Sequence, residues 1–513
     1  MKKYFAKTSR SFHKMRFKRL LLHFLALECQ NNTGSANVTK KRRYFERNDP
    51  HNSALSVYLA DFAPGGRYHD LPVDHKHHKL FRRRCSLPYA MFAQICQRIR
   101  DEEWEIPNIK HVFGSNDKPI GLCGIKMASL EVKVFCALFT LTRATPFDSM
   151  ALLTNCSEEV HRKFFIQFVH HFVEKLYDSN VFMPTTTDEI FELESQYRKV
   201  GFPGCIGSTD CVHIAWDQVS TQLKVECTGK EGFATLTYSV TCNRIGNLSL
   251  KFTFISSINL LLHFNIYFML GFIMGVSGSF FGSVNDKTIV KFEKEIDKVR
   301  SSELYTNYEY DIYTSNSGNI QNLSIQGCYL LCDNGYLNWV ILQCPSTSIA
   351  DGPLYHWSKR LESVRKDIEC VFGRLKIRYS ILKNRLRLHY KADIDKVFRV
   401  CCILHNMLLV NDGWNEYIND SSNWLFFSDL ADDEIDNMFS RPRNNNDVVI
   451  SDDDIRAQIN SHGSNGVTFD GTNYSNNIVH SRSRDELRQL LVKHFEIAYN
   501  KNEIAWMNRR YNI

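Results

Sequence analysis

Residues 201–216, GFPGCIGSTDCVHIAW, place a carboxylate, Asp210, at the end of an apolar run with the composition of a buried strand. Two more acids stand in equally apolar settings. Asp333 closes the run CYLLCDNGY (328–336), and Glu369 lies among Val364, Ile368, Val371, Phe372 and Leu375 in SVRKDIECVFGRLKIRYSIL (363–382), a segment with helical spacing. Taken singly, each acid would be an ordinary cap, turn or solvated residue. Taken together, two strand-end aspartates and one helical glutamate predict a site that holds hard cations. The chemistry that needs such a trio is phosphodiester cleavage, because Mg²⁺ takes oxygen ligands and a pair of ions can activate the attacking oxygen while steadying the leaving one.

GFPGCIGSTDCVHI, the later GSFFGSVNDKTIV, then LLCDNGY, VRKDIECVFGRLKIRYSIL and CCILHNML resemble, in this order, the catalytic core of PIF/Harbinger-type DDE transposases. The resemblance runs from about Phe81 to Asn406, and 35 residues separate Asp333 from Glu369, the spacing familiar from DDE transposases in general. It implies that Asp210, Asp333 and Glu369 are the first, second and third members of a metal-binding catalytic triad. It also implies a divalent-metal-dependent endonuclease and strand transferase acting on DNA at the ends of a mobile element, with two ions, Mg²⁺ or Mn²⁺, a Myb-like partner protein and a homo-oligomeric assembly. The alternative kept beside it is a domesticated nuclear DNA-binding or scaffold protein that retains the fold without the activity.

Asp286 in GSVNDK competes with Asp333 for the second place, since the family pattern carries an Asp there too; its setting reads as a turn cap opening a helix through Ile289, Val290 and Phe292. His213 follows Asp210 by three residues on one strand, so period-two alternation turns it to the opposite face, where it reads as packed, with an accessory role in positioning DNA or water as the alternative. The fold expected is α/β: an RNase H-like mixed sheet built from CIGSTDCVHIAW, FATLTYSVTCN, FIMGVSGSF and YLLCDN, the first three as an antiparallel meander, with the Glu369 helix laid against it. Arg365, Lys366, Arg374, Lys376 and Arg378 on that helix, and Lys224 and Lys230 in the first loop, are the candidates for DNA phosphates.

Between about Leu80 and Glu174 the pattern is helical, and its last three helices have the layout of a helix-turn-helix. An all-helical unit over 76–200 therefore precedes the catalytic unit over 201–410. Residues 1–75 read as a basic, largely flexible arm, with eight Lys and Arg and no acid in the first 20 residues and KKRR at 40–43. Those basic runs ahead of a DNA-handling core give the nucleus as the expected location. Sixteen cysteines occur without any Cys-x-x-Cys pair, so they read as reduced thiols and exclude a zinc-finger spacing.

Residues 252–276 contain no Asp, Glu, Lys or Arg, a length and apolarity that would suit a membrane span. A span there would separate strands that must pair in one sheet, so no membrane is expected and 245–270 reads as an insertion or a translated intron. Residues 411–480 read as an acidic flexible linker, and 481–513 as an amphipathic helix, with Leu487, Leu490, Leu491, Phe495 and Ala498 on one face, that docks back on the core.

Overall fold

In the computed structural model the residues described are 50–104, 128–244, 271–316, 319–346, 352–384, 386–412 and 483–504. The strands are β1 Cys205–Ala215, β2 Thr235–Cys242, β3 Ile273–Val276, β4 Phe280–Phe281, β5 Glu309–Asn316, β6 Asn319–Gln326, β7 Tyr329–Leu331 and β8 Leu342–Gln343. Six of them form a mixed sheet in the order β3-β2-β1-β7-β8, with β4 also paired to β2. The meander β1-β2-β3 is antiparallel, as the alternation of apolar and small polar residues predicts, while β7 joins β1 in parallel. The β5-β6 hairpin has no counterpart in the sequence reading, because NIQNLSIQ is almost wholly exposed and carries no apolar alternation to announce it.

Helices cover both faces of the sheet. Those longer than a single turn are α1 Ala54–Ala60, α2 Lys76–Cys85, α3 Tyr89–Asp101, α4 Leu130–Arg143, α5 Phe147–Thr154, α6 Glu158–Asn180, α7 Thr187–Lys199, α8 Asp286–Lys291, α9 Lys294–Ser301, α10 Pro353–Arg378, α11 Lys391–Asn411 and α12 Arg484–Asn500. On one face, Val212 and Ile214 of β1 and Leu236, Tyr238 and Val240 of β2 join a core with Phe135, Phe165, Phe168 and the apolar side of α11. A second core joins Leu330, Leu331 and Leu342 with Trp357, Leu361, Leu487, Leu491 and Phe495. Helix α10 contributes to both cores, Trp357 and Leu361 to the second and Ile368, Val371 and Leu375 to the first. Burial of this kind contributes about 25 cal/mol per Å² of apolar surface and is what ties the layers together.

Two expectations about organisation change. Residues 50–75 are not part of a loose arm: Leu55, Leu59 and Phe62, at helical spacing, are buried in the first core beside Phe81. Helices α1–α6 share that core with the sheet instead of closing a core of their own, and α7 joins the second core through Ile190, Leu193 and Tyr197. Helix α6, the recognition helix of the helix-turn-helix expectation, spends its aromatic side on packing, burying Phe164, Phe165, Phe168 and Phe172 and lying along α11. Its first turn carries Glu158 and Glu159, and Arg162 is held by Glu159, an arrangement that opposes contact with phosphates.

The joint between α7 and β1 explains the GFPG motif. Gly201 and Gly204 have φ of +95° and +80°, and a Cβ at either position would collide with the rings of Phe495 and Tyr310 respectively. Glycine is required at both for the left-handed backbone and for this close approach. Helix α12 thereby sits against β5 and α10, through Leu487, Leu491, Phe495 and Ala498.

The remaining arm (1–49), the apolar stretch 245–270 and the linker beyond residue 412 lie outside the described residues. What flanks 245–270 is described: the Asn243 N–H donates to the Phe272 carbonyl, and Phe272 N–H returns a bond to the Asn243 side chain. The chain therefore leaves the sheet and re-enters it at adjacent points, and 273–276 belong to β3, not to a helix. Among the described residues no helix is long and apolar enough to cross a membrane.

Candidate active site

Strand register brings the first two acids together. Ser208 of β1 pairs with Leu331 of β7 in parallel, so two residues further along each chain Asp210, in the middle of β1, and Asp333, just past the end of β7, stand side by side. Adjacent strands lie about 4.8 Å apart, and equal steps from a paired position keep both side chains on one face. Glu369 arrives from α10, which packs on β1. Each aspartate is oriented by its own turn: Asp210 Oδ1 accepts from the Cys211 N–H at 2.8 Å, and Asp333 Oδ1 from the Asn334 N–H at 2.8 Å.

All three acids converge on the guanidinium of Arg365. Its Nη1 is 3.1 Å from Asp210 Oδ2, and its Nη2 is 3.1 Å from Glu369 Oε1 and 4.0 Å from Asp333 Oδ1. Arg365 is nearly buried, with 12% of its side chain exposed, whereas Asp333 and Glu369 are half exposed, so the cluster opens to solvent on the side of those two acids. Burial pushes the Asp210 carboxyl up to about 6 against the pull of Arg365. Burial works against the charge on Arg365 as well, but the three carboxylates outweigh it and raise the guanidinium further above its usual range.

The donor set suits hard divalent cations, being three carboxylates with oxygen atoms only. In the present arrangement a guanidinium stands among them, and among the described residues no three His, Cys, Asp or Glu side chains lie at metal-ligand spacing. The site thus has the charge and the ligand chemistry for a cation, with Arg365 at its centre.

Residues 257–406 match the model of a family described as DDE superfamily endonuclease. Over those residues the chain is similar to the DDE superfamily endonucleases. Asp286, Asp333 and Glu369 fall inside the matched residues, and Asp210 lies before them on the strand that the domain's own strands extend. A curated relative, "Protein ALP1-like" of Arabidopsis thaliana, is 22% identical over 253 residues, covering 47% of this chain and 52% of the relative. The chain therefore spans about half the length of that relative. No solved structure matches.

Within the endonuclease domain the other sequence-predicted residues separate into groups. Asp286 is not among the acids around Arg365. It begins α8, where Asn285 and not Asp286 is the cap, accepting from the Lys287 N–H, and its carboxylate lies 3.9 Å from Lys230 Nζ. His213 sits across β1 from Asp210, its Nδ1 3.1 Å from Thr235 Oγ1 and 3.0 Å from Thr237 Oγ1; burial lowers its affinity for a proton. It is a packed histidine.

Of the basic candidates, three turn inward. Arg374 is buried, and burial, aided by Arg378, pushes its pKa down to about 10. Lys376 donates to the His213 carbonyl at 3.3 Å, and Arg378 Nη1 stands 3.1 Å from His405 Nδ1. Helical periodicity explains these corrections, since Arg374 and Arg378 share the side of α10 that carries Val371 and Leu375 into the first core. Lys224 and Lys230 are exposed and Lys366 partly so. Arg365, read from the sequence as a phosphate contact, is instead the partner of the acids, and the signal for it is its place four residues before Glu369 on one helix face.

Proposed function

We propose that this domain is the catalytic unit of a PIF/Harbinger-type transposase, an RNase H-like endonuclease and strand transferase that cuts DNA at the ends of a mobile element and joins them to target DNA. Asp210, Asp333 and Glu369 would hold divalent cations, Mg²⁺ or Mn²⁺. The observation that carries the reading is the convergence of three acids, from the middle of one strand, the end of its parallel neighbour and one helix, on a single cationic group. Bound there, such ions supply polarisation of the phosphodiester and an activated oxygen nucleophile.

The chain's own residues do the rest. The backbone N–H groups of Cys211 and Asn334 fix the directions of the two aspartates, and the rigid α10 sets the height of Glu369 above them. The half-exposed edge formed by Asp333 and Glu369 leaves room for a DNA backbone, and Lys224, Lys230 and Lys366 are the accessible cations for its phosphates. The reading includes action in the nucleus, a Myb-like partner that supplies further DNA recognition, and assembly as a homo-oligomer.

The test is cleavage of DNA carrying the element's terminal sequence, with Mg²⁺ or Mn²⁺ and with chelator. Metal-dependent cleavage that disappears in Glu369→Gln supports the reading. Specific binding of that DNA with no cleavage under any metal would replace it with the retired, DNA-binding form of the same fold.

A further inference from the structure

Three carboxylates within reach of one another repel, and in this fold they are held on a central strand, at the end of its parallel neighbour and on a helix, which cannot separate without breaking the sheet register. Arg365 relieves that repulsion. Its planar fork reaches two acids at 3.1 Å and the third at 4.0 Å, and the side chain is anchored by a 26-residue helix whose next turn carries Glu369. Carboxylate ligands approach Mg²⁺ at about 2.1 Å, so three oxygens cannot close on an ion while a guanidinium lies between them.

We propose that Arg365 is a built-in counter-ion of the acid cluster, which holds the three carboxylates together in the metal-free chain and is displaced when a divalent cation enters. Arg365 is thus a positioning residue that sets the affinity of the site for metal. It keeps the acids assembled without an ion, and it raises the metal concentration at which the site fills. The inference rests on the metal reading above and adds the competitor.

The experiment is Mn²⁺ binding to the full chain by calorimetry, followed by thermal melting with chelator or with saturating Mn²⁺, for the native chain, Arg365→Met, Arg365→Lys and Glu369→Gln. A neighbouring guanidinium shifts a carboxylate's proton affinity by roughly tenfold or more, so Arg365→Met is expected to bind Mn²⁺ about tenfold more tightly than the native chain. It should also melt lower than native in chelator and gain a larger rise in melting temperature from Mn²⁺. Arg365→Lys, which keeps the charge and preserves folding if the methionine variant fails, should tighten binding by less. A merely structural arginine would lower the melting point with and without Mn²⁺ and leave the metal affinity alone.

Mn²⁺ binding lost in Glu369→Gln yet unchanged or weakened in both Arg365 variants overturns the counter-ion role and leaves the metal site standing. Absence of Mn²⁺ binding by the native chain and both Arg365 variants overturns the counter-ion role and the metal reading together.

Discussion

On the side of β1 that carries Asp210, acids from three elements surround one guanidinium and two of them are half exposed. On the side that carries Cys211 and His213, Asp286 and Glu293 lie near the same strand, Asp286 beside Lys230 and Glu293 beside Glu295. Glu293 is almost wholly buried, and burial together with Glu295 holds its carboxyl well above the ordinary carboxylate range. One strand thus presents an open cluster of three acids around a guanidinium on one face, and on the other a peripheral ion pair and a buried, proton-retaining Glu293. Proximity to the strand is common to both; the convergence of three acids on one guanidinium belongs to one.

The largest effect should come from removing acids of the open cluster. Several kcal/mol of transition-state stabilisation at ~1.4 kcal/mol per decade corresponds to a loss of about 10³-fold in metal-dependent DNA cleavage for Glu369→Gln or Asp333→Asn. The matched change on the far face, Asp286→Asn, should leave the rate within a factor of about three, since surface changes of this kind are worth tenths of a kcal/mol. An Asp286 variant as inactive as the Asp333 variant would break the distinction between the faces.

Helix α10 repeats the contrast within three residues, because Glu369 faces out while Asp367 is buried with Arg244, Nε to Oδ2 3.8 Å. Removing one member of a buried ion pair costs about 3–5 kcal/mol. Asp367→Ala should therefore lower stability to chemical denaturant by about that amount, and Glu369→Gln should hardly change it. Equal stability losses would show that Asp367 is not compensating buried charge.

Glu293 provides a pH test of the closed face. A carboxyl whose folded-state pKa lies above its unfolded value contributes stability that is complete below the ordinary carboxylate pKa and is lost as pH rises past its folded value. Glu293→Gln removes that loss, so its melting temperature should exceed the native one in alkaline buffer, by roughly 2–4 °C for each kcal/mol, and the gap should close in acid. A gap independent of pH would mean that Glu293 is already ionised in the fold.

The smallest expected effect belongs to His213→Ala. Losing its contacts to Thr235 and Thr237 should cost about 1 kcal/mol, with metal-dependent cleavage unchanged. A cleavage defect beyond about tenfold would move His213 from packing to chemistry.

Much of this is legible in the sequence. Local pattern places Asp333 at a strand end and Glu369 on a helix, finds the antiparallel β1-β2-β3 meander, and puts His213 on the face opposite Asp210, because periods of 2 and 3.6 are properties of the backbone alone; Asp210, expected at a strand end, lies instead in the middle of β1, which continues to Ala215. Polar, exposed β6 leaves no such pattern, although its partner β5 alternates buried Tyr310 and Ile312 with exposed Glu309 and Asp311, and the basic runs nearby mask the apolar spacing of Leu55, Leu59 and Phe62. What only the tertiary structure decided was non-local. The parallel pairing of Ser208 with Leu331 sets Asp333, and not Asp286, beside Asp210, and the rotation of α10 against both cores turns Arg374 and Arg378 inward while sending Arg365 to the acids. Sequence spacing specifies which residues share a strand end or a helix face; which faces meet depends on pairing and packing between segments more than a hundred residues apart.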